Sequence, residues 1–278
     1  MSRLLVCSPS DLPSRNMRES LRALTGWEDL GTDGVNGFEA YGDTVIMTIA
    51  DKHLAHDFPE DDAERFGIHV DDVVFMSKHA AKSRVPALTV HPIGNFHENL
   101  YGGRPESLSP ASPAPMSDAL RRILSYNDIE GCQTCFEVTH HGPCSSKPTF
   151  FIEIGSDETN WGNTHAADIQ ARVLLDLEPH DEYPTVIGVG GGHYTPRFTE
   201  VCQKFCVNFG HMLPNYQMEG RDDDDIIRMM LQAAEATGTK LVYLHRKSMK
   251  KPEERRVSSL ISSAGLEQVS SQDLDPVQ

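Results

Sequence analysis

Short apolar runs recur along the chain at 4–7, 45–49, 73–76, 87–90, 135–138, 150–154, 186–189 and 241–244, set off by Gly, Pro, Asp or His. Runs of this length between turn-forming residues predict buried strands. Between several of them the apolar positions switch to a helical period, at 16–24, 118–124, 166–177, 196–206 and 222–236. Thr164 is the predicted cap of the third helix, and the aspartates Asp222 to Asp225 open the last, where they complement the positive end of a helix dipole. Strands alternating with helices predict an α/β fold with a mostly parallel sheet and helices on both faces. The stretch 103–117 holds four Pro and four Ser and reads as a long surface loop within one α/β domain spanning 1–278. The polar, Ser-rich end reads as a short helix and then a frayed tail over 263–278.

Composition narrows the function classes. The 278 residues carry 25 Lys+Arg against 41 Asp+Glu, a formal net charge of −16, which excludes a generally basic nucleic-acid binder. A hydrophobic share of 38% excludes intrinsic disorder. No apolar stretch approaches the roughly 18 residues of a membrane span, and the N-terminus has no signal-peptide pattern. A cytoplasmic protein with no membrane partner is expected, a monomer being favoured. Cys7, Cys132, Cys135, Cys144, Cys202 and Cys206 then read as reduced thiols.

Three stretches concentrate candidate chemistry. Residues 73–97 contain no Asp or Glu but hold His79, His91 and His97 with Lys78, Lys82 and Arg84, a locally positive face with groups that move protons. In the second, Glu137 and Glu153 lie inside apolar strands that flank a His140-His141-Gly142-Pro143 turn. Buried carboxylates need partners, and both histidines can serve one site only if the chain turns between them. In the third, a strand runs through Gly190-Gly191-Gly192-His193 into a helix, so backbone N–H groups are offered to a phosphate or an oxyanion. Neither a Walker loop nor GxGxxG fits. His193 at the lip reads as a general acid/base or a metal ligand.

These phrases occur in an order that resembles a known family. Leu88-Thr89-Val90-His91-Pro92 with Gly94-Asn95-Phe96, the Glu137 to Pro143 segment, Glu153-Ile154-Gly155-Ser156 with Trp161, Gly190 to Tyr194 with Pro196, and Gly210-His211 with Leu213-Pro214 are similar to the archaeal- and plant-type D-aminoacyl-tRNA deacylases. The resemblance implies a three-layer α/β/α sandwich of the phosphorylase/hydrolase type, similar to peptidyl-tRNA hydrolase. It also implies hydrolysis of the ester between a D-amino acid and the 3′-terminal ribose of tRNA, with broad side-chain tolerance, and an association with zinc. The expected catalytic residues are His140, His141, Glu137 and Glu153. Gly190, Gly191, Gly192, Tyr194, Asn95, Ser156 and Trp161 are expected to hold the oxyanion or substrate, and His97 and His193 are candidate metal ligands. Lys78, Lys82 and Arg84, with Arg246, Lys247, Lys250 and Lys251, are expected to meet tRNA phosphates. A metal-dependent hydrolase of small molecules or peptides and a non-catalytic tRNA-binding module are the competing expectations.

Overall fold

The computed structural model describes residues 2–82 and 84–277. In chain order, the first part comprises β1 (Arg3–Cys7), α1 (Leu12–Leu24), β2 (Glu28–Thr32), β3 (Gly37–Tyr41), β4 (Thr44–Thr48), α2 (Pro59–Arg65) and β5 (Asp72–Lys78). Next come β6 (Ala87–Pro92), β7 (Gly94–Asn95), β8 (Ser107–Leu108), α3 (Pro113–Tyr126), β9 (Gln133–Phe136), β10 (Thr149–Gly155), α4 (Glu158–Trp161) and α5 (Thr164–Leu175). The last part holds β11 (Thr185–Val189), α6 (Pro196–Lys204), β12 (Asn208–Leu213), α7 (Asn215–Met218), α8 (Asp223–Thr237), β13 (Leu241–Leu244), α9 (Lys251–Ser263) and β14 (Glu267–Val269).

The α/β alternation is as the hydrophobic pattern predicts. The strands form a mixed, mostly parallel eight-stranded sheet, ordered β2-β3-β4-β1-β5-β10-β6-β9, and a second, wholly parallel sheet ordered β12-β11-β13-β14. Central strands are buried on both faces, which is why they read as continuous apolar runs. Leu5, Val74 and Ile152 join Met17, Leu120 and Val173 of α1, α3 and α5 in one cluster. Their alternates Leu4, Val6, Phe75 and Phe151 join Ala63 of α2 on the opposite face.

Three expectations are corrected. The Pro/Ser stretch is not loop throughout: α3 begins at Pro113, and Ala114 to Ser117 are buried. Prolines in a first helical turn lose no intrahelical bond, because those N–H groups have no partner there. The cap of α5 is Asn163, whose side chain accepts from the Ala166 amide. The described part of 263–278 is not frayed: β14 pairs with β13, and Phe205 bridges Pro276; residue 278 lies outside the described residues. The second sheet places two strands that the apolar pattern did not flag, β12 and β14. Polar interruptions hide them, Asn208 and His211 in the first and Glu267 and Gln268 in the second.

The two sheets meet along residues 137–140. Glu137 N donates to Val90 O, extending β9 beside β6, while Val138 N donates to His193 O and Thr139 N to Met212 O. That seam carries the site.

Candidate functional site

Strand register gathers the first group of side chains. Glu153 on β10 faces Ser77 on β5 and Thr89 on β6, and Phe151 faces Phe75 and His91. Because side chains alternate along a strand, Ser77, Thr89, His91, Phe151 and Glu153 share one face. His79 continues it just past the end of β5, its amide bonded to Ile154 O. The rings of Phe75, Phe151 and His91 stack in sequence at 4.9 and 5.0 Å, a rigid floor beneath the polar groups.

The seam and the loop after β11 complete the cluster. His141 adopts φ 33 and Gly142 φ 113, so the chain does turn between the two histidines, and their ring centroids lie 4.2 Å apart. His193 Nε2 stands 2.9 Å from Glu137 Oε2, and His79 Nδ1 3.1 Å from Glu137 Oε1. Glu153 Oε2 lies between His91 Nε2 at 3.6 Å and His79 Nδ1 at 3.7 Å. Gly155 is required by this assembly: a Cβ there would stand 2.7 Å from the His79 ring.

The donor set fits a metal. His91, His140 and His141 present ligand atoms within 4.8 Å of one another, and so do His79, Glu137 and His193. Both Glu137 oxygens, Glu153 Oε2, His91 Nε2 and His141 Nδ1 are buried without a hydrogen-bond partner. Each such atom costs about 1–3 kcal/mol if left unsatisfied; a cation in each ligand group would satisfy the Glu137 oxygens, His91 Nε2 and His141 Nδ1, leaving Glu153 Oε2 outside both groups. His140 Nδ1 faces Val138 O at 2.7 Å and His91 Nδ1 faces Pro92 O at 3.1 Å. Donation there fixes the tautomer that leaves each Nε2 lone pair free, the usual outer bond of a metal-bound histidine. Burial, reinforced by neighbouring imidazoles, holds His140 and His141 well below the ordinary histidine range, so both are neutral and able to ligate. Burial alone would raise Glu137, but the surrounding histidines, His193 first, bring it below the usual carboxylate range. Nitrogen and oxygen donors without thiolate suit zinc among other metals.

The other expected residues divide. His97 lies outside both groups, with Nε2 3.2 Å from Gln217 O. Of the three loop glycines, Gly190 N donates to Leu213 O and Gly191 N to Ser248 Oγ, so neither amide is available for an oxyanion; the Gly192 amide has no such acceptor among the described residues. Tyr194 OH meets His79 Nε2 at 2.6 Å, and Trp161 Nε1 donates to His79 O, so both brace His79. Lys78 lies over the Trp161 ring at 4.6 Å. Ser156 is buried with its hydroxyl unpartnered. Asn95 holds the loop instead, donating to Gly102 O and Arg104 O. Lys82, Lys247 and Lys250 are exposed, whereas Lys251 pairs with Glu254 at 2.8 Å and Arg84 faces Asp157 at 3.8 Å.

Sequence reasoning placed His79 and His91 in an acid-free stretch but not among the site residues. It missed a cavity of about 260 Å³ that opens beside the cluster, lined by Ser8, Asp11, His53, Lys78, His141 and Glu153. Asp11 was legible in one respect, since it caps α1 directly after β1, and the carboxyl ends of strands are where α/β folds bind ligands.

The family model for D-aminoacyl-tRNA deacylase matches residues 66–269. A D-aminoacyl-tRNA deacylase of Methanosarcina acetivorans is 34% identical over 94% of this chain and 90% of its own, and one of Thermococcus onnurineus is 34% identical over 95% and 98%. A crystal structure of a conserved protein of unknown function superposes with a TM-score of 0.87 at 28% identity, covering 99% of both chains. The chain belongs to the D-aminoacyl-tRNA deacylase family.

Proposed function

We propose that the protein hydrolyses the ester between a D-amino acid and the 3′-terminal ribose of tRNA, as a zinc-dependent carboxylic ester hydrolase of the cytoplasm. The observation that carries this is a cluster of five imidazoles and two carboxylates at the mouth of a cavity, in a chain of this family. His91, His140 and His141 would hold one metal ion, and His79, Glu137 and His193 another. Such ions polarise an ester carbonyl and lower the pKa of water.

The chain's own groups then have distinct tasks. Glu153 lines the cavity, and its Oε2 contacts the cluster without a hydrogen bond, so it takes the proton of the attacking water. Attack forms the C–O bond to the carbonyl carbon, the bond to the ribose oxygen breaks, and Glu153 returns the proton to that oxygen. Tyr194 and Trp161 hold His79, and the Gly192 amide is the loop donor left for the oxyanion. The amino-acid side chain enters the 260 Å³ cavity, whose fixed walls exclude the mirror-image arrangement about the α-carbon. Lys78 and Lys82, with Arg246, Lys247 and Lys250, meet the acceptor end, while Arg84 and Lys251 are partly neutralised by their carboxylates.

The test is to incubate the zinc-loaded protein with D- and L-aminoacyl-tRNA and follow free amino acid. Release from the D form alone is expected, abolished by a chelator and restored by zinc. Equal release from both forms, or turnover that survives complete metal removal, would refute the proposal.

A further inference from the structure

A second cavity, of about 600 Å³, lies outside the cluster at the carboxyl ends of β13 and β14, beneath α6. Its size falls within the roughly 300–1,000 Å³ of small-ligand sites. One wall is fixed by bonding: Arg197 donates to Tyr243 OH at 2.7 Å and to Ser271 Oγ at 2.9 Å, and the two hydroxyls meet at 2.8 Å. Another is the His245 imidazole, kept in its neutral form chiefly by burial and also by Arg197. At the rim, Lys247 makes no ion pair among the described residues, and Arg246 is 3.8 Å from Glu254 and exposed. The cavity therefore combines a flat neutral ring, fixed hydroxyls, the free cation Lys247 and the weakly paired Arg246, while its lining carboxylate, Glu200, is occupied by Arg197 and Lys204, the complement of a base joined to a phosphate.

Its position relative to the cluster is equally specific. A Cβ on Gly191 would stand 3.3 Å from His245 Nδ1, so the imidazole lies against the glycine loop two residues before His193. One side of that loop serves the ester and the other faces this cavity. Resting on the tRNA reading above, we propose that the cavity holds a nucleotide of the single-stranded 3′ end of tRNA, adjacent to the one whose ribose carries the ester. Its base lies over His245, and its phosphate meets Lys247 and Arg246.

Equilibrium binding of CpCpA, adenosine and free CMP to the zinc-loaded full chain tests this without requiring turnover. In the wild type, CpCpA should bind at least about tenfold more tightly than either adenosine or CMP. H245A should weaken CpCpA roughly fivefold or more by loss of stacking. K247E should weaken it comparably and reduce the magnitude of its log–log salt slope by about 0.7, the share of one single-strand phosphate contact. Neither variant should alter adenosine binding, and K247E, at an exposed side chain, keeps the test open if H245A does not fold. Equal binding of CpCpA and adenosine, CMP binding as tightly as CpCpA, or an equal loss of adenosine and CpCpA in K247E would each overturn the assignment. The expected CpCpA pattern from a protein that leaves D-aminoacyl-tRNA intact would instead overturn the deacylase reading alone.

Discussion

Glu153 and Glu137 are both buried carboxylates in apolar surroundings, yet their positions separate their roles. Glu137 belongs to a ligand group, whereas Glu153 lies outside both and lines the cavity. E153Q should therefore lower kcat on D-aminoacyl-tRNA by roughly 100- to 10,000-fold, the contribution of a positioned base, while bound zinc measured by elemental analysis stays near wild type. E137Q should lose zinc and activity together. Loss of zinc in E153Q would move Glu153 into the ligand set. The sequence disclosed these carboxylates because an acid inside an apolar strand stands out. It did not disclose that His79 and His91 face them, since that depends on the pairing of β5, β10 and β6. Asp11 offers a pH test. Burial lifts its carboxyl from 3.8 to about 6, so between those values the folded protein holds a proton that the unfolded chain has released. Stability from this group is lost as pH rises through that window, and the cost is complete above about pH 6. D11N retains a capping oxygen for α1 and cannot ionise. Its stability relative to wild type in urea should rise by roughly 1–3 kcal/mol between about pH 4 and about pH 8. A pH-independent difference would mean that the Asp11 proton is not retained.

At the level of elements, buried strands with continuous apolar runs were legible, and those that failed to register are exposed or, like the wholly buried β12, interrupted by polar residues. β2 is exposed along its whole length, and an edge strand needs no apolar pattern to pair. The C-terminal segment shows why composition misleads there. Ser, Gln and Asp suggest a loose end, but Leu266 and Leu274 are each only 8% exposed, Cys206 N donates to Asp275 O, and Val277 N donates to Lys204 O. Deleting 264–278 removes β14 and both leucines. Burial of a leucine contributes about 1.5–3 kcal/mol, so the deletion should cost roughly 3–6 kcal/mol, a large part of a typical domain's stability. Thermal unfolding monitored by circular dichroism would reveal this as a markedly lower Tm, and an unchanged Tm would restore the frayed tail.

Over the whole molecule, a net charge of −16 must be reconciled with a polyanionic substrate, and ion pairing decides which cations take part. Arg256 is tied to Asp223 and Glu253, and Lys251 to Glu254. Lys82, Lys247 and Lys250 are exposed and form no ion pair among the described residues. The sequence alone counts all of these alike, because the carboxylate that neutralises a lysine is identified only once helices are placed side by side. Each phosphate neutralised by a free cation on single-stranded RNA contributes about −0.7 to the slope of log affinity against log salt. Lys82, Lys247 and Lys250 therefore contribute about −2 to the slope for kcat/KM on D-aminoacyl-tRNA, to which Lys78 and Arg246 add. K82A/K247A/K250A should flatten it by about 2, whereas K251A/R256A should leave it nearly unchanged. A wild-type slope steeper than about −5 would require a broader basic surface than these residues supply, and equal flattening by both sets would show that ion pairing does not select the cations that meet tRNA.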